Sequence, residues 1–443
     1  AQDDKEKHSW NGVKEKLMLM MAPKIMEDLK ERHQDELYYE IEMPLIAVLA
    51  SMEANGVKID NAALAQYSRE LTAELNMIEQ QARQMADDKD INLSSPKQVG
   101  ILLFEKLKLD PKAKKSARGS YTTDEAALTA IADKHPVVGK ILEYRALKKL
   151  LSTYIDVLPS LADPSDGKVH TTFNQALTAT GRLSSVNPNL QNIPVRTERG
   201  KEIRKAFVSS FKGGSIVSAD YSQIELRLMA HISGDANMIA AFKSGDDIHR
   251  ETAARIFSKP LDEVTKEERS RAKTANFGII YGISTFGLSQ RLGMSRTDSK
   301  KLIEDYFASY SGVKEYISSI VAKAKAEGYV KTIYGRRRYL PDINSRNAVV
   351  RSFSERNAVN APLQGSAADI IKLAMINVFK SLVRAGLKSK MVLQVHDELI
   401  FDVAPGEEQT IMDMARSCME SVAQLKVPLT AECSAAENWL LAH

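Results

Sequence analysis

Cysteine is nearly missing from the sequence. Cys418 and Cys433 are the only two, too few for a disulfide framework and without the spacing of a metal site. Their scarcity argues against cystine-stapled folds and zinc-ribbon classes, and predicts a reducing, intracellular setting. Long apolar runs are missing as well, because nothing reaches the ~18 residues that a bilayer-spanning helix requires. The Met-rich stretch from Leu17 to Met21 is short, follows acidic residues and leads into Pro23 and Lys24, which makes it a poor signal peptide. Cytoplasmic residence without a membrane partner is the expectation. Net charge is scarce too. At +4 the chain has no general cationic field, so any nucleic-acid surface has to be local. Local clusters stand at Lys112, Lys114, Lys115 and Arg118, at Arg145, Lys148 and Lys149, and at Arg336, Arg337 and Arg338, although such clusters are commonly just solvated surface. There is no internal repeat.

What is present is enough chain, 443 residues, for a sizeable core and roughly two to four domains or subdomains. A hydrophobic content of 44% and a charged content of 27% fit a soluble globular protein. The first residue is Ala rather than Met, which reads as a processed or trimmed piece of something longer. From Ile41 to about Leu161 the texture is helical, with Ser94-Ser95-Pro96 as a helix start. Lys112 to Ser120 reads as a loop tip. From Val169 strand signals enter, NPNLQNIP reads as loop, and SIVSAD (215–220) reads as a short strand followed by a helix from Gln223. Residues 235 to 330 are again mostly helical. A helix is expected after Pro362-Leu363-Gln364-Gly365, and residues 391–403 alternate like two strands meeting near His396-Asp397-Glu398. The expected class is α+β, a small antiparallel sheet assembled from distant segments with a helical insertion.

Within the helical insertion, RSRAKTANFGIIY places Arg269, Lys273, Phe277 and Tyr281 at steps of four. On a helix these form one slowly winding stripe ~18 Å long, cationic at one end and aromatic at the other. That polarity matches a nucleoside triphosphate. An ordinary amphipathic helix, with Phe277 and Tyr281 in the core, is the alternative. Thr265 and Glu268 have capping-box spacing, which starts this helix near Lys266, and Gly282 ends it.

Carboxylates gather where strands end: Asp220 closes one strand, Glu225 follows at the opening of a helix, and Asp397 and Glu398 sit in a tight turn. Turn chemistry alone is one explanation. The other is a pair of acids from separate strands meeting at one sheet edge to hold divalent metal, since Mg²⁺ takes one or two carboxylates and keeps its other positions for water and phosphate. Two such ions clamp the attacking and leaving oxygens of a phosphoryl displacement.

SADYSQIELRLMAH (218–231), DIHRETA (247–253), RSRAKTANFGIIYG (269–282), NAPLQGSAADIIK (360–372) and QVHDELIF (394–401) resemble, in that order, the polymerase motifs of family A DNA polymerases. IEMPLIAVLASMEANGVKID (41–60), ILEYRALKKLLSTY (141–154) and TATGRLSSVNPNLQNIPVR (178–196) extend the resemblance, which covers about residues 40 to 443. It implies a right-hand polymerase fold: residues 1–40 as a remnant or linker from an upstream domain, 41–165 mostly thumb with some palm-associated helix, 166–232 the first part of the palm, 233–375 the fingers and return helix, and 376–443 the second part of the palm. The implied activity is template-directed addition of deoxynucleotides to a primer 3′-OH with release of pyrophosphate, by a monomer acting on primer–template DNA.

Residue by residue, the resemblance implies two Mg²⁺ ions (with Mn²⁺ as a substitute) held by Asp220, Asp397 and the backbone of Tyr221. His249, Arg269 and Lys273 contact the triphosphate, and Lys273 is also a proton-donor candidate for the leaving group. Phe277, Tyr281 and Gln223 line the nucleotide pocket. Glu225 is a steric gate against a ribose 2′-OH, hydrogen-bonded to Tyr281. Arg182, Arg356, Asn360, Gln364 and His396 lie near the primer terminus and the minor groove of the nascent pair, where shared acceptors report pair shape. Lys112, Lys114, Lys115 and Arg118 fall at the thumb tip, against phosphates. Phe277, in place of Tyr, implies discrimination against dideoxynucleotides. The 40 or so residues ahead of the match are too few for a proofreading or 5′-nuclease domain. A metal-dependent nuclease and a catalytically silent nucleic-acid clamp are the rivals from other classes; within the enzymes, Glu225 argues against a single-subunit RNA polymerase.

Overall fold

The computed structural model describes every residue except Ala1, Ala117, Arg118, Arg196 and Asp246, with side chains described from residue 12 onward. The chain divides into two compact units, one of residues 1–55, 172–186 and 217–435, the other of residues 56–171, 187–216 and 436–443.

The smaller unit rests on two helices, Asn61–Ala86 and Pro136–Leu150, that pack on each other. Asp60 caps the first by accepting from the amides of Ala62 and Ala63, and it buries Leu64, Leu71, Leu75 and Ile78, a 3–4 spacing that keeps one face apolar. The second starts with Pro136 in its first turn, where a missing N–H costs nothing. Near the end of the unit, Trp439 is fully buried with the Arg204 guanidinium stacked 3.9 Å from its ring centroid. The helix start at Ser95-Pro96 is as expected, with Ser95 accepting from Gln98 N.

The larger unit is built around one helix of 38 residues, Ala348–Ala385, against which the Met43–Asn55, Ile224–Ser233, Ser311–Glu327 and Glu408–Ser421 helices pack. A helix is expected from sequence only after Pro362-Leu363-Gln364-Gly365; here the helix runs through that proline. Proline removes a backbone donor and crowds the carbonyl one turn back. Burial of Ala358, Leu363, Ala367 and Ile370 on neighbouring helices outweighs that cost. The sheet of this unit has four strands in the order Ala431–Ala436, Ser215–Tyr221, Glu398–Val403, Lys390–Val395. The last two form an antiparallel hairpin in which Val395 pairs with Glu398. Helices with small antiparallel sheets are the α+β class expected. Among the described residues, no helix is long and apolar enough to cross a membrane.

Candidate active site

The strand that carries Asp220 and the strand that Asp397 leads into are the two inner neighbours of the sheet, so the acids lie at the ends of central strands rather than at an edge. The hairpin joining Val395 to Glu398 leaves only His396 and Asp397 in its turn, with His396 at φ +56°. A non-glycine residue at positive φ is strained, and such strain is kept where geometry is over-determined. The Tyr221 amide donates to the Asp397 carbonyl at 3.1 Å, tying the end of one acid-bearing strand to the turn of the other. Both acid side chains are half-buried. Burial pushes the Asp397 carboxyl above its ordinary range, with Arg182 and His396 opposing the rise. Glu398 points elsewhere: it is buried and accepts from the Ser218 hydroxyl at 2.6 Å.

Glu225 is buried on the first turn of the Ile224–Ser233 helix. Its carboxylate accepts from Arg182 Nη2 at 2.6 Å, so Arg182 takes the place that the resemblance gave to the Tyr281 hydroxyl. A guanidinium is the stronger donor for a desolvated carboxylate. Even so, burial pushes the Glu225 carboxyl up to about 7; Arg182 lowers it and Asp397 raises it. Gln223, which caps this helix at φ +55°, has its Oε1 buried without a partner, and Asn360 Oδ1 is in the same condition. A buried acceptor without a donor is costly, so these two atoms call for a donor from ordered water or a ligand.

The ladder helix spans Lys266–Ile280, and its Thr265–Glu268 capping box is formed. It buries Ala272, Ala275, Asn276, Ile279 and Ile280, while Lys273 is exposed and Arg269, Phe277 and Tyr281 are half-exposed. The core therefore takes mainly the opposite face, with Phe277 and Tyr281 only partly covered. Arg269 is braced by Asp247, whose carboxylate accepts from its Nε at 2.7 Å. His249 lies beside Phe277, with ring centroids 5.7 Å apart. This helix also touches the helix that carries Glu225. Beyond its end, Gly282 sits at φ +71°, where a Cβ would come within 2.8 Å of Arg356 Cγ; the tight approach brings the Tyr281 end against the long helix. On that helix Arg356 is exposed, and Asn360 and Gln364 are half-buried. His396 is exposed at its turn.

In the other unit, Lys112 and Lys114 are exposed, and Lys115 is held by Glu105 at 2.8 Å. Arg118 lies outside the described residues. Asp247, Asn276, Thr252 and Tyr310, which support His249 and Arg269, escape the sequence reading. Asn276 left one signal: it is polar at a helical phase that the ladder assigns to the core.

Among the described residues, no group of three or more His, Cys, Asp or Glu is arranged to hold a metal ion. Two carboxylates at adjacent strand ends, one with its charge disfavoured by burial, fit a hard cation that completes its shell with water and phosphate.

The family model of DNA polymerase family A matches residues 61–441. DNA polymerase I of Geobacillus stearothermophilus is 49% identical over 415 residues, 94% of this chain and 47% of the relative. DNA polymerase I of Bacillus subtilis is 48% identical over 429 residues, 97% of this chain and 48% of the relative. The chain thus spans about half the length of the curated relatives it matches. The POL domain of Pol1 from M. smegmatis, solved in complex with DNA primer-template and dNTP, superposes with a TM-score of 0.89 at 44% identity, covering 96% of this chain and 74% of that one. The fold is the right-hand polymerase fold, and the chain belongs to DNA polymerase family A.

Proposed function

We propose that the protein extends a DNA primer along a template, joining deoxynucleoside triphosphates to its 3′-OH with loss of pyrophosphate. The observation that carries this reading is the ladder, whose cations and aromatics stay partly open to solvent while the helix buries its other face. In this reading Arg269, Lys273 and His249 hold the triphosphate, while Phe277, Tyr281 and Gln223 shape the base and sugar pocket. Buried Glu225 crowds the 2′ position, held in place by Arg182. Arg356, Asn360, Gln364 and His396 receive the primer end and the nascent pair, and Lys112, Lys114 and Lys115 take duplex phosphates. Residues 41–165 serve mostly as thumb, 166–232 and 376–443 as palm, and 233–375 as fingers, with 1–40 leading in.

Asp220, Asp397 and the Tyr221 carbonyl are the groups to hold two Mg²⁺, or Mn²⁺ in their place. When bound, these ions supply charge neutralisation at the attacking and leaving oxygens. The protein's own contribution is positioning and preorganised charge: Lys273 and Arg269 meet the negative charge that builds on the pyrophosphate, and Lys273 is the candidate proton donor to it. The 443 residues act as a monomer in the cytoplasm, where their substrates are.

Primer extension on a defined template with dNTPs and Mg²⁺, run beside Asp220→Asn, tests the reading. Extension by the parent and none by the variant is the expected result. Hydrolysis of DNA without dNTPs would instead establish a nuclease, and Mg²⁺-independent binding without extension a clamp. Glu225→Ala raises ribonucleotide use by about tenfold or more in the same assay; an unchanged preference removes its gating role.

A further inference from the structure

His249 is almost fully buried, yet its ring is the one ladder-side group that has to meet an anion without a fixed positive charge. Burial pushes the imidazole down to about 4; Asp247 opposes this, and Lys273 and Arg269 reinforce it. At neutral pH the ring is therefore uncharged, and its usefulness to a triphosphate depends on which nitrogen carries the single hydrogen.

The hydrogen bonds behind the ring decide that. His249 Nδ1 lies 3.0 Å from Asn276 Nδ2. The same Asn276 nitrogen lies 3.0 Å from Thr252 Oγ1. Thr252 has one hydroxyl hydrogen, and its shortest acceptor is the Ile248 carbonyl at 2.7 Å, against 3.2 Å for Asn276 Oδ1. With that hydrogen spent on the backbone, Thr252 Oγ1 has to accept, from the Asn276 amide and from the Tyr310 hydroxyl at 3.0 Å. Asn276 then turns both amide hydrogens inward, one to Thr252 and one to His249 Nδ1. Nδ1 is an acceptor, and the hydrogen sits on Nε2.

We propose that Asn276 is a positioning residue that fixes the tautomer of His249, so that a neutral Nε2–H is presented to the nucleotide. The inference rests on the nucleotide-binding reading of the ladder. All the groups that hold the relay, Asn276, Thr252 and Tyr310, come from three different helices or their caps and are buried, so the orientation is set before any ligand arrives. A donor without net charge also leaves the anion's charge to Arg269 and Lys273.

Two measurements test this. In protein with ¹⁵N-labelled histidine, long-range proton–nitrogen correlation near pH 7.5 reads the tautomer directly, with the His249 signals identified by their loss in His249→Gln. The expected spectrum has Nδ1 unprotonated and Nε2 protonated; a protonated Nδ1 overturns the proposal. Asn276→Asp supplies only acceptors to the ring. It favours imidazolium at low pH and, once that proton leaves, an Nδ1–H tautomer whose bare Nε2 repels phosphate. The ratio of the variant's dNTP KM to the parent's is then expected to climb about tenfold from pH 6 to 8.5. Taking the ratio cancels groups that both proteins share, and a flat ratio overturns the proposal. If the variant fails to fold, the spectrum of the parent protein alone decides. If the parent does not extend primers at all, the polymerase reading fails, and the spectrum still reports the tautomer.

Discussion

Two charge clusters of the larger unit show how a folded chain separates scaffolding from chemistry. One joins Glu42, Arg336, Asp369 and Lys372, two acids against two cations. Every bond in it is closed within the protein: Lys372 Nζ reaches Glu42 Oε1 at 2.7 Å, Arg336 Nε reaches Asp369 Oδ1 at 2.8 Å, Thr332 donates to Asp369 at 2.8 Å, and Gln175 donates to Glu42 at 2.9 Å. The other sets Asp397 and Glu225 against Arg182, with Asp220 at the end of the strand tied to the Asp397 turn, while buried oxygens of Gln223 and Asn360 go unpartnered. The first is neutral and complete. The second has a surplus of negative charge and acceptors without donors, which suits the cations and the hydrogen-bonding ligand proposed for it.

The largest effect that follows concerns the open cluster. In the proposed mechanism, Asp397→Asn or Asp220→Asn lowers single-turnover incorporation by about a thousandfold or more, because each removes half of the charge offered to the metals. Primer–template affinity stays within a few-fold. For Asp397→Asn, stability moves the opposite way. Burial raises this carboxyl, so its ionised form works against folding at pH 8, and the amide melts at a higher temperature than the parent. An inactive variant that is also less stable would erase the distinction between the clusters.

The closed cluster answers with the reverse pattern. Burial alone would raise Glu42, but Lys372 and Arg336 outweigh it and hold the carboxyl below its ordinary value. Glu42→Gln leaves two buried cations facing one acid and costs on the order of 3 kcal/mol in chemical denaturation at pH 7. Because the folded value is depressed, this contribution is complete above the unfolded pKa of the acid and fades as pH falls through the folded one. The gap between parent and variant therefore narrows below about pH 4.5. A gap that persists unchanged in acid would show that the ion pairs are not its source.

Local chemistry made much of this legible in advance. The capping box at Thr265 and Glu268 fixed the start of the ladder helix, and alternation around His396-Asp397 gave the hairpin. The positions of Asp220 at a strand end and Asp397 in the hairpin turn were readable from the same alternation. What stayed hidden depends on contacts made across long separations. Arg336 sits in a run of three arginines that looks like surface, and only its approach to Glu42 and Asp369 buries it. Its side chain also packs where a Cβ on Gly181 would stand, one residue before Arg182. The helix through Pro362 is hidden for the same reason, since propensity says stop and tertiary burial says continue. The Arg182–Glu225 pair joins residues 43 apart, and no spacing rule reports it.

That pair gives the smallest and most discriminating effect. Glu225 is held at about 7, above its unfolded value of 4.5, so the folded chain binds more protons than the unfolded chain between those two values. Stability contributed by the group is complete below pH 4.5 and is lost as pH rises through 7. Glu225→Gln keeps the shape of the protonated acid and cannot ionise, so it matches the parent near pH 5 and exceeds it at pH 8 by on the order of 2 kcal/mol. Denaturation of both proteins at the two pH values checks this. A glutamine variant that is instead weaker at pH 8 would mean the Arg182 bond outweighs burial, and Glu225 would then belong with the closed cluster, as scaffolding that happens to stand beside the nucleotide.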